Sequence, residues 1–230
     1  MSRANMDKNP QEVAAMFDGV ARRYDIVNDL LSLGRTKAWR RAATKVIAPA
    51  PGMKILDMAA GTGSSSAPLA AAGADVTAAD FSEGMIAAGQ KARPDLTFIK
   101  ADALNLPFED NAFDLFTISF GLRNTQNTAK ALAEARRVVK PGGRLVVVEF
   151  SSPTFAPFRA IYMNYLMRAL PFIARKTSSN PDAYIYLADS IRAWPDQKAL
   201  ASQIVDAGWT QVGWKNLTGG VVAIHMAVAP

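Results

Sequence analysis

The stretch Lys54-Ile55-Leu56-Asp57-Met58-Ala59-Ala60-Gly61-Thr62-Gly63 decides the fold. Its apolar entry, Lys54-Ile55-Leu56, predicts a short buried strand. Two glycines one residue apart permit a sharp turn at which the backbone approaches a ligand closely. Ser64-Ser65-Ser66 and an alanine-rich run follow. A helix is therefore predicted from Ser64 to Ala72, with a serine as N-cap. Strand, glycine turn and helix N-terminus, in that order, open a nucleotide-binding α/β sheet.

Downstream the pattern repeats. Strands are predicted over Asp75–Ala79, ending on Asp80, over Leu96–Lys100, ending near Asp102, over Phe113–Ser119 and over Arg144–Phe150. A helix capped by Ser82 runs to Lys91, and another spans Thr128–Val139 before a Lys140-Pro141-Gly142-Gly143 turn. Strands alternating with helices at this spacing predict a doubly wound, mostly parallel sheet. Upstream, apolar residues recur at helical spacing from Gln11 to Leu33, and a basic helix carrying Trp39 is predicted over Thr36–Ile47. Past strand five, Phe155–Ile173 is rich in Phe, Tyr, Met and Leu. Residues 183–192 read as helix, and another helix starts at Pro195-Asp196-Gln197. Trp209–Leu217 and Val221–Val228, joined by Thr218-Gly219-Gly220, read as an antiparallel hairpin.

The 230 residues, half of them hydrophobic, suffice for one domain with a sizeable core. With no cysteine, disulfides, thiolate metal sites and a cysteine nucleophile are excluded. No secretory leader and no apolar run of membrane-span length is seen, so a cytoplasmic protein is expected. The net charge of +6 sits in the flanks: residues 1–50 carry +4, residues 51–150 carry −1 and residues 151–230 carry +3. Such flanks meet RNA, an anionic membrane surface, or simply solvent. No RNA-binding platform accompanies them, so nucleic acid is not the expected partner.

The glycine turn lacks the third glycine of a dinucleotide fingerprint: in either register it falls on Ser64 or Ser66. It also lacks the Gly-Lys-Ser/Thr of a phosphate-binding loop. An acidic residue at the strand end before Gly-x-Gly suits a cationic, phosphate-free cofactor, S-adenosylmethionine. Asp57 is expected to hold its amino-acid end, directly or through the loop, with Gly61, Thr62 and Gly63 beside it; a loop-capping carboxylate is the other reading. Asp80 is placed for the ribose hydroxyls. Asp102 and Ala103 are placed for the adenine, and Ser119 lines the crevice at the end of strand four. No metal ligands are called for.

Longer segments carry a family resemblance. Tyr24-Asp25-Ile26-Val27-Asn28-Asp29-Leu30-Leu31-Ser32 with Trp39-Arg40, Phe120-Gly121-Leu122-Arg123-Asn124, Arg137 to Gly143 with Glu149-Phe150, and Asn216-Leu217-Thr218-Gly219-Gly220 with His225 resemble the ubiquinone/menaquinone biosynthesis C-methyltransferases. The resemblance runs from about Val13 to His225. Two positions depart: Val27 stands where that family usually has Met, and Thr36 where it usually has His. The resemblance implies a Rossmann-like class I methyltransferase fold with an N-terminal helical extension and a C-terminal antiparallel hairpin. Its parts are expected to be a helical cap (1–50), a cofactor-binding core (51–150), a substrate lid (151–194) and a C-terminal helix and hairpin (195–230).

The activity implied is methyl transfer from S-adenosylmethionine to a ring carbon of a prenylated quinol. Demethylmenaquinol is favoured over the ubiquinone precursor. A small soluble acceptor, an RNA acceptor and a non-catalytic regulator are the rival classes. Arg123, Asn124 and Tyr24 are the catalytic candidates. Arg123 is read as a phenolate stabiliser or water-orienting group, since an arginine is always protonated and makes a poor base. Its competing reading is an ion pair with a nearby carboxylate. His225, mid-strand in an apolar stretch, is expected to be structural. A prenylated substrate comes from a membrane, so the apolar segment 155–176 is expected to form a tail channel, a dimer face of a homodimer, or core. Arg168, Arg175, Lys176 and the basic helix at 35–45 are candidates to face anionic headgroups on the inner side of the cell membrane.

Overall fold

The computed structural model describes residues 8–18, 32, 34–169 and 181–230. Tyr24 and most of the segment around it therefore lie outside the described residues, as do Arg175 and Lys176.

Seven strands form one sheet: β1 Lys54–Met58, β2 Asp75–Asp80, β3 Thr97–Lys100, β4 Phe113–Ser119, β5 Val139–Phe150, β6 Thr210–Leu217 and β7 Val222–Val228. Their order is β3-β2-β1-β4-β5-β7-β6. The first five are parallel; β7 runs antiparallel to β5 and to β6. The chain reverses direction across the sheet between β1 and β4, and a crevice opens beyond the carboxyl ends of strands at such a switch point.

The helices are α1 Pro10–Asp18, α2 Thr36–Ile47, α3 Ser66–Ala71, α4 Glu83–Ala92, α5 Thr128–Val138, α6 Ala156–Asn164, α7 Pro181–Ala193 and α8 Gln197–Asp206. Of these, α2, α3, α4, α5 and α8 pack on the two faces of the sheet, whose side chains alternate. Ile55, Leu115, Val146 and Val148 pack with Trp39, Ala43 and Ile47 of α2 and with Leu69 of α3. Leu56, Phe116, Leu145 and Val147 pack on the other face with Leu132 and Ala135 of α5 and Leu200 and Ile204 of α8. The α2 pattern is simple: Trp39, Ala43 and Ile47 are buried four residues apart, while Lys37, Arg41 and Lys45 form an exposed stripe with the same spacing.

Two local expectations change. The helix after β1 begins at Ser66, and Ser65 makes no side-chain cap; the Ser65 and Ser66 hydroxyls are engaged elsewhere. Lys140-Pro141-Gly142-Gly143 does not stand apart as a turn but belongs to β5. There Gly142 N–H donates to the Ala229 carbonyl and Ala229 N–H to the Gly143 carbonyl, so the stretch pairs with the chain end. A side chain at Gly143 would meet the Asp114 carbonyl at 2.8 Å. The aromatic segment after β5 forms α6 and runs on into a π-helical turn over Tyr165–Ala169.

Candidate active site

The carboxyl ends of β1, β2 and β4 open into a cavity of about 740 Å³. One part of its wall is polar, with Gly61, Thr62, Ser64, Asp80, Asp102 and Ser119. The remainder is largely aromatic, with Trp39, Phe120, Phe150, Phe158, Tyr162 and Tyr186.

The polar part is built from backbone turned into unusual conformations. Ala59 and Gly61 both have positive φ, 56° and 57°, so the chain doubles back directly after β1. Asp80 fastens this turn: its carboxylate accepts the Gly61 N–H at 2.8 Å and the Ser82 N–H at 2.9 Å. Ser82 in turn caps α4 by accepting the Met85 N–H at 3.0 Å. Asp102 accepts the Leu104 N–H at 2.9 Å while remaining on the cavity wall. The two turns beyond β1 and β4 touch. A side chain at Gly121 would sit 2.3 Å from the Ala59 methyl group, so only glycine fits there.

Asp57, Gly63 and Ala103 are not on the cavity wall. Strand alternation turns Asp57 to the same face as Ile55, towards the start of α3. Fully buried, it accepts the Ser65 and Ser66 hydroxyls at 2.7 and 2.6 Å on one oxygen, while its Oδ1 has no partner. Burial pushes its carboxyl up to about 6, against the opposing pull of the two hydroxyls. Of the two readings, the carboxylate that organises the loop is the one the hydrogen bonds describe.

Beyond β4, a short 3₁₀ turn over Leu122–Asn124 brings Arg123 and Asn124 to the cavity. Arg123 is almost fully buried and pairs with Glu149 from the end of β5 at 2.7 Å. The same guanidinium nitrogen donates to the Phe120 carbonyl at 2.6 Å, and Nε approaches the Ser190 hydroxyl at 3.4 Å. The ion pair of the competing reading is thus present, and Arg123 also lines the cavity. Asn124 accepts the Tyr186 hydroxyl of α7 at 3.2 Å. Burial raises the hydroxyls of Tyr162 and Tyr186 above the usual phenol range, so both remain protonated donors.

His225 does not reach the cavity. Its Nε2–H donates to the Gln197 carbonyl at 2.8 Å, its ring packs on Trp214, and burial lowers its proton affinity, so it stays neutral. Thr36, the first residue of α2, does line the cavity. Sequence reading assigns no role to Trp39, Phe120, Phe150 or Tyr186, although the first three lie inside the segments that carry the family resemblance.

The sequence matches the ubiE/COQ5 methyltransferase family over residues 5–229. The chain belongs to that family. It is 61% identical over 227 residues to the demethylmenaquinone methyltransferase of Renibacterium salmoninarum, covering 99% of this chain and 96% of that protein. It is 60% identical over 225 residues to the protein of the same name from Streptomyces avermitilis, covering 98% and 97% respectively. Among solved structures, phosphoethanolamine N-methyltransferase 2 of Haemonchus contortus, in complex with S-adenosyl-L-methionine, has a TM-score of 0.66 at 15% identity. The match covers 100% of this chain and 60% of that one, and the shared feature is the fold. The fold is the class I methyltransferase fold that the family's sequence pattern implied.

Proposed function

We propose that this family member is an S-adenosylmethionine-dependent C-methyltransferase that converts demethylmenaquinol to menaquinol. The observation that carries the reading is one cavity with a polar wall at the strand ends and an aromatic wall beside Arg123 and Asn124. It stands in a chain that matches the demethylmenaquinone methyltransferases along nearly its whole length.

The residues present fit S-adenosylmethionine. The donor set is carboxylates, hydroxyls and turned backbone without a phosphate-binding lysine, which suits an uncharged nucleoside and an ammonium group. Gly61 and Thr62 take the amino-acid end, Asp80 the ribose, Asp102 the adenine side and Ser119 the floor. Asp57 acts through the loop that it organises, as Gly63 and Ala103 do through the turns they belong to. The cofactor supplies an electrophilic methyl group.

The chain supplies alignment and a place for a proton. Loss of a hydroxyl proton from the quinol raises electron density on the adjacent ring carbon, where the new C–C bond forms; the ring carbon then gives up its own proton. Arg123, positioned by its ion pair with Glu149, stabilises the phenolate at the cavity wall. Asn124, oriented by Tyr186, positions the hydroxyl or the water that accepts its proton. Tyr24 is the third candidate for contact with that hydroxyl.

The substrate's prenyl tail implies contact with a membrane. No helix among the described residues is long and apolar enough to cross one. Phe155 and Ile161 are 66% and 68% exposed beside Arg159 and Arg168, and α2, whose Arg40 lines the cavity, carries the exposed Lys37, Arg41 and Lys45 stripe. Apolar side chains among cations suit peripheral binding to an anionic leaflet.

Incubation with radiolabelled S-adenosylmethionine and each reduced quinone precursor tests the activity. Label is expected in menaquinol, and no label in either lipid overturns the reading. Flotation with phosphatidylglycerol vesicles tests the surface; absence of binding at low salt removes the membrane from the account.

A further inference from the structure

The residue directly after β4, Phe120, has φ of 58°, a left-handed conformation that a bulky side chain rarely adopts. Such a conformation persists only where surrounding contacts impose it, and it clusters at functional sites. Here the contacts are evident. The Phe120 N–H donates to the Val148 carbonyl at 2.8 Å, and its carbonyl accepts from Arg123 at 2.6 Å and from Asn124 at 3.5 Å. The peptide groups of one strained residue are thus gripped by a neighbouring strand and by two of the three catalytic candidates, Arg123 and Asn124.

The grip aims the ring. Phe120 lies 5.1 Å from Phe150 and 6.0 Å from Trp39, and Trp39 meets Phe150 edge-on at 6.2 Å. All three side chains line the cavity. The Arg123 guanidinium lies 5.1 Å from the Phe150 ring, so the corner ends at the charged group. Ser119, the neighbour of Phe120 in sequence, belongs to the polar wall. The aromatic corner therefore begins where the cofactor side ends. It differs from the wall formed by Phe158, Ile161 and Tyr165, which lies on α6 and the π-helical turn.

We infer that Trp39, Phe120 and Phe150 form the seat for the acceptor ring, with Phe120 the specificity-determining residue, and that the α6 wall serves the tail instead. The inference rests on the quinol reading above. The seat selects a flat aromatic acceptor by face and edge contacts. The strained backbone fixes its position before the acceptor arrives. A fused two-ring acceptor reaches more of the corner than a single ring does.

Ring and tail are tested separately by isothermal titration, using 2-methyl-1,4-naphthoquinone as a ring without a tail and geraniol as a tail without a ring. The absence of cysteine removes thiol addition to the quinone as a complication. Phe120→Leu keeps an apolar side chain and removes the aromatic face. It is expected to weaken naphthoquinone binding about tenfold. Geraniol and S-adenosylmethionine affinities should stay within about twofold, and the quinol KM should rise more than kcat falls. Phe120→Gly, which accepts the left-handed backbone without strain, is the second variant should the first fail to fold.

Unchanged naphthoquinone affinity in both variants overturns the inference, as does an equal loss for geraniol or for S-adenosylmethionine. Wild-type protein that binds no naphthoquinone and methylates no quinol overturns the acceptor reading and the seat together. Wild-type protein that methylates demethylmenaquinol while Phe120→Leu keeps its KM overturns the seat alone.

Discussion

The indole N–H of Trp39 donates to the Thr218 hydroxyl at 2.8 Å, joining two segments 179 residues apart. Trp39 comes from α2 and Thr218 from the turn between β6 and β7, where Thr218, Gly219 and Gly220 all have positive φ. One hydrogen bond thus anchors the cavity wall to the far end of the sheet. Thr218→Val leaves the shape but removes the acceptor. A buried donor left without a partner costs about 1–3 kcal/mol, and this loss is expected in urea unfolding.

Glu149 is 1% exposed, and its carboxylate accepts both the guanidinium and the backbone N–H of Arg123. Breaking such a pair leaves a buried charge, at a cost of about 3–5 kcal/mol. Glu149→Ala is expected to lose stability on that scale, and Glu149→Gln less. Denaturant midpoints check the order of the two. Arg123→Ala should spare S-adenosylmethionine binding and reduce turnover; normal turnover would remove Arg123 from the mechanism.

Asp57 has a folded-state proton affinity above its unfolded one, with the carboxyl raised to about 6 from an ordinary 3.8. Its proton-linked contribution to stability is therefore fully present below about pH 4 and is lost as pH rises through 6, with a scale on the order of 3 kcal/mol. Asp57→Asn removes this dependence. The variant is expected to gain on the wild type as pH rises from 5 to 8, measured by thermal melts across the series.

Asp80 holds two backbone donors of the cofactor wall at once. Asp80→Ala is expected to weaken S-adenosylmethionine binding at least about tenfold, since it removes the proposed ribose acceptor and frees both N–H groups. Titration calorimetry reads this directly. Unaltered affinity would take Asp80 out of the cofactor site.

The positions of β1 to β4 were readable because each is a short, largely apolar run ending at or near a polar residue, and Asp80 and Asp102 stand at such ends. The direction of Asp57 was readable too, since Ile55 and Asp57 share a face by period-two alternation. What the chain order hides is pairing across distance. Nothing near Trp39 announces Thr218, and nothing near Arg123 says that Glu149 will meet it from the next strand. The Lys140–Gly143 stretch misled for a related reason. Its proline and glycines spell a turn locally, while pairing with the chain end draws them into β5. Tyr24 lies outside the described residues, and its role rests on the family pattern.

The contact between Gly121 and Ala59 bears on how this scaffold can be re-engineered. With no space for one further methyl group there, the two turns behave as a single fused floor. A designer who wants a new acceptor has to leave that floor alone and vary the walls, because any side chain added at residue 121 would push the donor end out of shape along with the acceptor end.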